Sequence, residues 1–246
     1  MKILVCISHV PDTTAKISFT DDGNSFNSEG VQYIIGPYDD YALSKAVDLK
    51  TASGGSLTVL TVGDSSTEPS LKKALAIGAD DAVRINIVPT NSQEVAKEIA
   101  AYAKDKSFDL IMMGRETIDF SSGIVHILTA KYLDLPCVTP IMDLEVSGGV
   151  ANVKKEMNSG TAQLKVKLPV VLGCQEPIAE WKIPNMRGIM TARTKPMEIL
   201  EPSSQTAKNM EITSYHLPKP KGSVRIFNED EIDEAAKAIV DELDLN

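Results

Sequence analysis

Lys2-Ile3-Leu4-Val5-Cys6-Ile7-Ser8 is an apolar run with no polar residue between its ends. A strand wetted on one face alternates apolar and polar side chains, whereas a strand covered on both faces by helices does not, so this stretch reads as a central strand of a parallel sheet. Beyond it the chain alternates. Residues 31–35 read as a short strand, and Gly36-Pro37-Tyr38 opens a helix with proline in its first turn. Ala42, Leu43, Ala46, Val47 and Leu49 form that helix's apolar side, and Ser53-Gly54-Gly55 ends it, where glycine takes a left-handed cap. Strands are predicted at 57–62, 82–87 and 108–113. Helices are predicted at 68–77, 91–106 and 121–135, the second opened by Asn91 three residues before Glu94 and the last stopped by Pro136. Strand and helix in strict alternation from residue 2 to about 138 predict an α/β protein with a doubly wound, mostly parallel sheet.

From residue 139 the pattern changes. Residues 142–146, 150–155, 162–167 and 170–174 read as short strands joined by Gly148-Gly149, Ser159-Gly160 and Pro169, which predicts hairpin strands added antiparallel to the sheet. Residues 176–222 are rich in Pro, Lys and Ser without a sustained period. That is longer than loops in compact domains usually run, so the segment is either functional or bound to a partner. A helix is predicted at 228–243, capped by Asn228 with Glu231 and carrying Ile232, Ala235, Ala236, Ile239, Val240 and Leu243 on one face.

Composition excludes several functions. Of 246 residues, 43% are hydrophobic and 24% charged, an ordinary globular mixture. A net charge of −9 opposes the counterion release that drives nucleic-acid binding. No apolar run approaches the roughly 20 residues of a membrane-spanning helix, so no membrane insertion is expected. The five apolar residues after Lys2 fall short of the about 7–15 of a secretory signal, which makes a cytoplasmic location the expectation. Cys6, Cys137 and Cys174 are odd in number and far apart, as reduced core cysteines are, and no C-x-x-C occurs. His9, His126 and His216 lack metal-ligand spacing. No G-x-S-x-G elbow exists, and the pairs Asp39-Asp40 and Asp80-Asp81 read as solvated charges, so no catalytic residue is nominated.

Ligands of open parallel sheets bind beyond the carboxyl ends of the strands, where strand order reverses. Those ends correspond to 6–12, 36–39, 62–65 and 114–122. Gly or Ser before the following helices leaves backbone N–H groups that would suit a phosphate, or that simply make tight turns. Neither G-x-G-x-x-G nor G-x-x-x-x-G-K-[ST] occurs, which argues against a standard NAD or P-loop site. Trp181-Lys182-Ile183-Pro184-Asn185-Met186-Arg187-Gly188-Ile189-Met190 has the composition of an interface, or of a loop packed on its own sheet.

Several ordered blocks resemble the beta-subunit family of electron transfer flavoproteins. They are Ile3-Leu4-Val5-Cys6-Ile7-Ser8-His9-Val10-Pro11-Asp12-Thr13, Gly36-Pro37-Tyr38-Asp39-Asp40-Tyr41-Ala42-Leu43, Ala74-Leu75-Ala76-Ile77-Gly78-Ala79-Asp80 and Asp109-Leu110-Ile111-Met112-Met113-Gly114-Arg115-Glu116-Thr117-Ile118-Asp119. Further on come the hairpin at Glu156, Leu168-Pro169-Val170-Val171, Ile183-Pro184-Asn185 and Ala192-Arg193-Thr194-Lys195-Pro196. The resemblance implies a Rossmann-like, adenine-nucleotide-hydrolase-like domain at 1–200 and a C-terminal arm at 201–246 that packs on an alpha subunit. It implies an electron carrier, not an enzyme: a heterodimer whose alpha subunit holds one FAD. Such a carrier takes electrons from flavin dehydrogenases, such as the acyl-CoA dehydrogenases of fatty acid beta-oxidation, to a quinone oxidoreductase or similar acceptor. Ile183, Pro184, Asn185 and Met186 fall in the family's dehydrogenase-docking loop, with Ile183 where a leucine is usual.

Many members also hold AMP in this subunit, and bifurcating members hold a second FAD there. The matching positions are Cys6, Gly36, Pro37, Tyr38, Asp39, Val62, Asp119, Ser121, Ser122, Gly123, His126 and Thr129. Within the family's I-D-x-D-x-x-Q-x-G pattern this chain reads Ile118-Asp119-Phe120-Ser121-Ser122-Gly123-Ile124-Val125-His126. Ile124 replaces a hydrogen-bonding amide, and His126 stands where close backbone approach calls for glycine. The expectation is a weakened or closed nucleotide pocket filled by Ile124 and His126. Two other readings stay open: a bifurcating-type subunit with a second FAD, and a stand-alone adenine-nucleotide-binding module, which would need a Gly-rich phosphate loop that this chain lacks.

Overall fold

The computed structural model describes residues 1–20, 22–203, 210 and 212–243. Two compact units emerge, Met1–Ile17 with Ser28–Thr213 and Ser18–Asn27 with Ser214–Asn246. In chain order the strands of the first are β1 (Lys2–Cys6), β2 (His9–Pro11), β3 (Tyr33–Ile35), β4 (Ser56–Val62), β5 (Asp81–Ile85), β6 (Leu110–Gly114), β7 (Cys137–Ser147), β8 (Val150–Met157), β9 (Gly160–Lys167), β10 (Val170–Cys174) and β11 (Met197–Leu200). Its helices are α1 (Pro37–Ser53), α2 (Glu68–Ile77), α3 (Ser92–Ala103), α4 (Val125–Leu133) and α5 (Met186–Ala192).

The main sheet runs β11-β5-β4-β1-β6-β10-β7-β8-β9. β1 lies between β4 and β6 in parallel register, Val5 opposite both Val59 and Met112, as its unbroken apolar run requires. Ile3 and Val5 join one core layer with Leu43, Leu57 and Leu75, while Leu4 and Cys6 join the other with Leu60, Ile99 and Ile111. The chain builds outward from β1 through β4 and β5, then returns to add β6 on the opposite side. Strand order therefore reverses between β1 and β6, and the crevice forms at their carboxyl ends.

Local signals hold where they rest on backbone chemistry. Gly54 caps α1 at φ 66°, and the Glu94 N–H donates to Asn91 Oδ1 at 2.9 Å to open α3. Other expectations need correction. The strand at 31–35 is not part of the parallel sheet: β3 pairs antiparallel with β2 in a separate two-stranded ribbon. The strand at 170–174 is no hairpin arm, because β10 runs parallel between β6 and β7 with all five residues buried. The stretch 176–222 contains α5 and also β11, which extends the sheet parallel to β5. α4 starts at Val125 rather than 121, since Ser121 at φ 47° and Gly123 at φ 60° take left-handed backbone that a helix excludes.

In the second unit Phe19 bridges Phe26, its ring stacks on Tyr215 at 5.0 Å between centroids, and the Tyr215 N–H donates to the Gly23 carbonyl. Helix α6 (Ile232–Glu242) starts later than the predicted 228, although the Asn228 N–H does donate to Glu231 Oε2 at 2.8 Å. None of α6 is buried; Ile232, Ile239, Val240 and the following Leu243 are all exposed. Positions 204–209, 211 and 244–246 of the arm lie outside the described residues. Among the described residues no helix is long and apolar enough to cross a membrane.

Candidate functional site

Asp39, in the first turn of α1, sits at the reversal point and is 4% exposed, and with Asp40 at 5% the pair is buried rather than solvated as its sequence suggested. Its Oδ2 accepts from the Ser8 N–H at 2.8 Å and the Ser8 hydroxyl at 2.5 Å, and its Oδ1 accepts from the Gly114 N–H at 2.6 Å. One carboxylate thus ties the segments leaving β1 and ending β6 to the start of α1. Two glycines make room for it. A Cβ at Gly36 would collide with Ser8 Oγ, and one at Gly114 would lie 2.7 Å from Tyr38 Cβ and 2.9 Å from the Asp39 nitrogen. Burial pushes the Asp39 carboxyl up to about 6 despite the opposing hydrogen bonds from Ser8 and Gly114. Burial also raises the Cys6 thiol, and the charge of Asp39 raises it further.

Six of the twelve predicted nucleotide positions gather here. Cys6, Gly36 and Asp39 are buried, their polar atoms turned into the protein, while Pro37, Tyr38 and Val62 are half-buried at the rim. The Arg115 guanidinium lies over the Tyr38 ring, 4.9 Å from its centroid. Its Nη1 donates to Gln175 Oε1 and its Nη2 to Glu116 Oε1, both at 2.9 Å, and Gln175 Nε2 donates onward to Glu156 Oε2 at 2.5 Å. Sequence reasoning missed Arg115 and Gln175 as a pair. They meet only because β10 inserts beside β6, a pairing that no spacing announces.

The other six positions lie on and before α4. Asp119, Ser121 and Ser122 are exposed; Asp119 Oδ1 accepts from the Phe120 N–H, and the Ser92 and Ser122 hydroxyls are hydrogen-bonded at 2.9 Å. Gly123 supplies a left-handed turn. His126, 2% exposed, packs against Gly173 of β10, and the fully buried Thr129 lies three residues on. Burial holds the His126 imidazole down to about 4, so it is neutral near pH 7. Neither its Nε2 nor Thr129 Oγ1 has a hydrogen-bond partner among the described residues. Ile124 does not fill a pocket as expected: it is 43% exposed and, with Phe120 and Ile127, leaves an apolar rim beside the start of the helix. An apolar rim, an imidazole packed on the sheet and a carboxylate with both oxygens engaged make a poor seat for a phosphate dianion.

The residues predicted to dock a dehydrogenase lie on and just before α5. Ile183 and Met186 are 74% and 75% exposed, Pro184 is half-buried, and Asn185 Oδ1 accepts from the Gly188 N–H at 2.8 Å to cap α5. Gly188 lets α5 close on α2, because a Cβ there would collide with the Ala76 carbonyl oxygen. Lys195 Nζ donates to the carbonyls of Leu75 and Ala79 at the end of α2. The Lys182 N–H donates to Ser44 Oγ at 3.1 Å, and Lys182 Nζ pairs with Asp48 at 2.8 Å. The loop is thereby fastened to α1 and α2 with its apolar side chains outward. Among the described residues no three His, Cys, Asp or Glu side chains gather as a metal site would need.

Comparison with known proteins follows the same lines. A family model described as the electron transfer flavoprotein domain matches residues 24–205. The electron transfer flavoprotein subunit beta of Bacillus subtilis (strain 168) is 36% identical over 205 residues, 82% of this chain and 79% of the relative. That of Syntrophomonas wolfei subsp. wolfei is 31% identical over 236 residues, 94% and 92% of the two chains. The acryloyl-CoA reductase electron transfer subunit gamma of Anaerotignum propionicum is 31% identical over 208 residues, 82% and 78%.

Proposed function

The chain belongs to the electron transfer flavoprotein family as a beta subunit, and on that premise we propose that it pairs with an alpha subunit holding one FAD and docks a flavin dehydrogenase. The complex then carries the electrons to a quinone oxidoreductase or similar acceptor in the cytoplasm. The flavin supplies the electron chemistry, and this chain positions it and its donor. One observation carries the reading: five exposed apolar side chains, Trp181, Ile183, Met186, Ile189 and Met190, fall within ten residues that Lys182 fastens to α1 and Gly188 packs on α2. Exposed apolar side chains concentrated on a fixed support are what a protein-docking face presents.

Ile183 and Met186 are the docking side chains, and Asn185 and Pro184 shape the turn that presents them. The arm at 201–246 packs on the alpha subunit, which accounts for the bare apolar face of α6. One relative serves an acryloyl-CoA reductase by its name; a reductase takes up electrons, so the name supports a CoA-thioester oxidoreductase as a redox partner without making that partner the donor. His126 takes up space at the nucleotide pocket, and the crevice holds neither AMP nor a second FAD at full occupancy. The test is anaerobic mixing of the purified heterodimer with an acyl-CoA dehydrogenase and its acyl-CoA. Bleaching of the heterodimer's flavin that requires the dehydrogenase is expected; a flavin that stays oxidised overturns the proposal.

A further inference from the structure

Trp181 is the only tryptophan of the chain, and it is 56% exposed at the start of the docking loop. It is nonetheless held. Lys73 Nζ on α2 lies 5.5 Å from the centroid of its ring and 3.0 Å from Oδ2 of Asp40, a buried carboxylate in the first turn of α1. A cation fixed by a buried carboxylate therefore presses on one face of the ring while much of the side chain stays open to solvent. A bulky aromatic side chain restrained before binding loses little conformational entropy when a partner covers it.

Charge identifies what covers it. Residues 181–195 carry Lys182, Arg187, Arg193 and Lys195 and no acidic residue, in a chain whose net charge is −9. Lys182 and Lys195 are engaged with Asp48 and with the carbonyls ending α2. Arg187 and Arg193 are exposed and form no ion pair among the described residues. The apolar patch is thus edged by two uncommitted positive charges.

We propose that Trp181 is a second anchor of the docking face beside Ile183, that Lys73 is its positioning residue, and that the occupant is an apolar slot with an acidic rim on the flavin dehydrogenase. This deepens the docking reading above and rests on it. The dehydrogenase meets two apolar anchors rather than one, so a slot shaped for a lone aliphatic side chain fits poorly, and the acidic rim sets the orientation through Arg187 and Arg193.

The experiment is steady-state reduction of the whole heterodimer by an acyl-CoA dehydrogenase, with KM for the heterodimer and kcat read separately. Ile183→Ala tests the docking reading, and Trp181→Ala tests the second anchor. Trp181→Ala is expected to raise KM about thirtyfold with kcat unchanged, the cost of truncating an interface tryptophan. Lys73→Met, which also strips Asp40 of its ion pair, is expected to raise KM about two- to fivefold, and Lys73→Arg, which keeps a cation between Asp40 and the ring, to restore it. Arg187→Gln with Arg193→Gln is expected to raise KM and flatten its dependence on salt. If Ile183→Ala raises KM and Trp181→Ala does not, Trp181 is no anchor although the face still docks. If neither variant changes KM, the docking reading itself fails. Separation of the two subunits by Trp181→Ala on size exclusion would place Trp181 against the alpha subunit and overturn the proposal, as would failure of Lys73→Arg to restore KM.

Discussion

Asp39 accepts hydrogen bonds from the segments leaving β1 and ending β6, so an isosteric amide cannot replace it without turning an NH2 group toward a backbone donor. Asp39→Asn is expected to cost about 1–3 kcal/mol in urea unfolding of the heterodimer, the penalty of a buried unmatched donor. Because the folded carboxyl titrates near 6, above its ordinary value of 3.8, its protonation stabilises the fold below pH 3.8 and that contribution is lost as pH rises through 6. The stability advantage of the native chain over Asp39→Asn should therefore shrink between pH 4 and 6. His126 works the other way in an overlapping window. Its imidazole is held down to about 4 from 6.5, so the folded state resists the proton that the unfolded chain takes up, and stability falls as pH drops from 6.5 toward 4. His126→Gly should remove that acid sensitivity. It should also raise the AMP released per heterodimer on denaturation; nucleotide near one per heterodimer in the native protein would contradict a pocket closed by His126. At this scale the sequence was partly legible. Asp39, Gly36 and His126 stood out by motif, but the inward turn of their side chains depends on neighbours from β6 and β10 that lie far away in the chain.

Elements were legible where local chemistry settles them and illegible where only tertiary context does. α1, α2 and α3 announce themselves through glycine caps, an Asn cap and apolar periodicity. β10 carries the same unbroken apolar pattern as β1, a sign of burial on both faces, yet Pro169 and its nearness to β9 made it look like one more hairpin arm. β11 is four residues at a sheet edge, with two of them exposed, too short for a pattern to register. α5 is seven residues, fixed less by propensity than by Asn185 and by its seat on α2. That seat yields a prediction: Gly188→Ala forces a Cβ against the Ala76 carbonyl and moves α5 off α2. The expected outcome is a raised KM for the dehydrogenase with the urea midpoint of the sheet little changed, as measured by reduction kinetics beside far-UV circular dichroism. Replacing Asn91 by Ala should cost about 1 kcal/mol without touching docking, since it removes the α3 cap and a local hydrogen bond to Thr90.

For the whole molecule, the parallel sheet supplies rigidity and the exposed apolar faces supply partners. α6 has no buried residue, and the loop at 181–190 holds its hydrophobic side chains out from a fastened base. Such surfaces are costly to leave bare, which is why the chain reads as one half of a carrier. The most direct measurement is co-expression with the alpha subunit, followed by the mass of the purified complex and its flavin content. One alpha chain, one copy of this chain and one FAD are expected. Two FAD per complex, or recovery of this chain alone as a colourless monomer that binds ATP, would contradict its place as the supporting subunit of a single-flavin electron carrier.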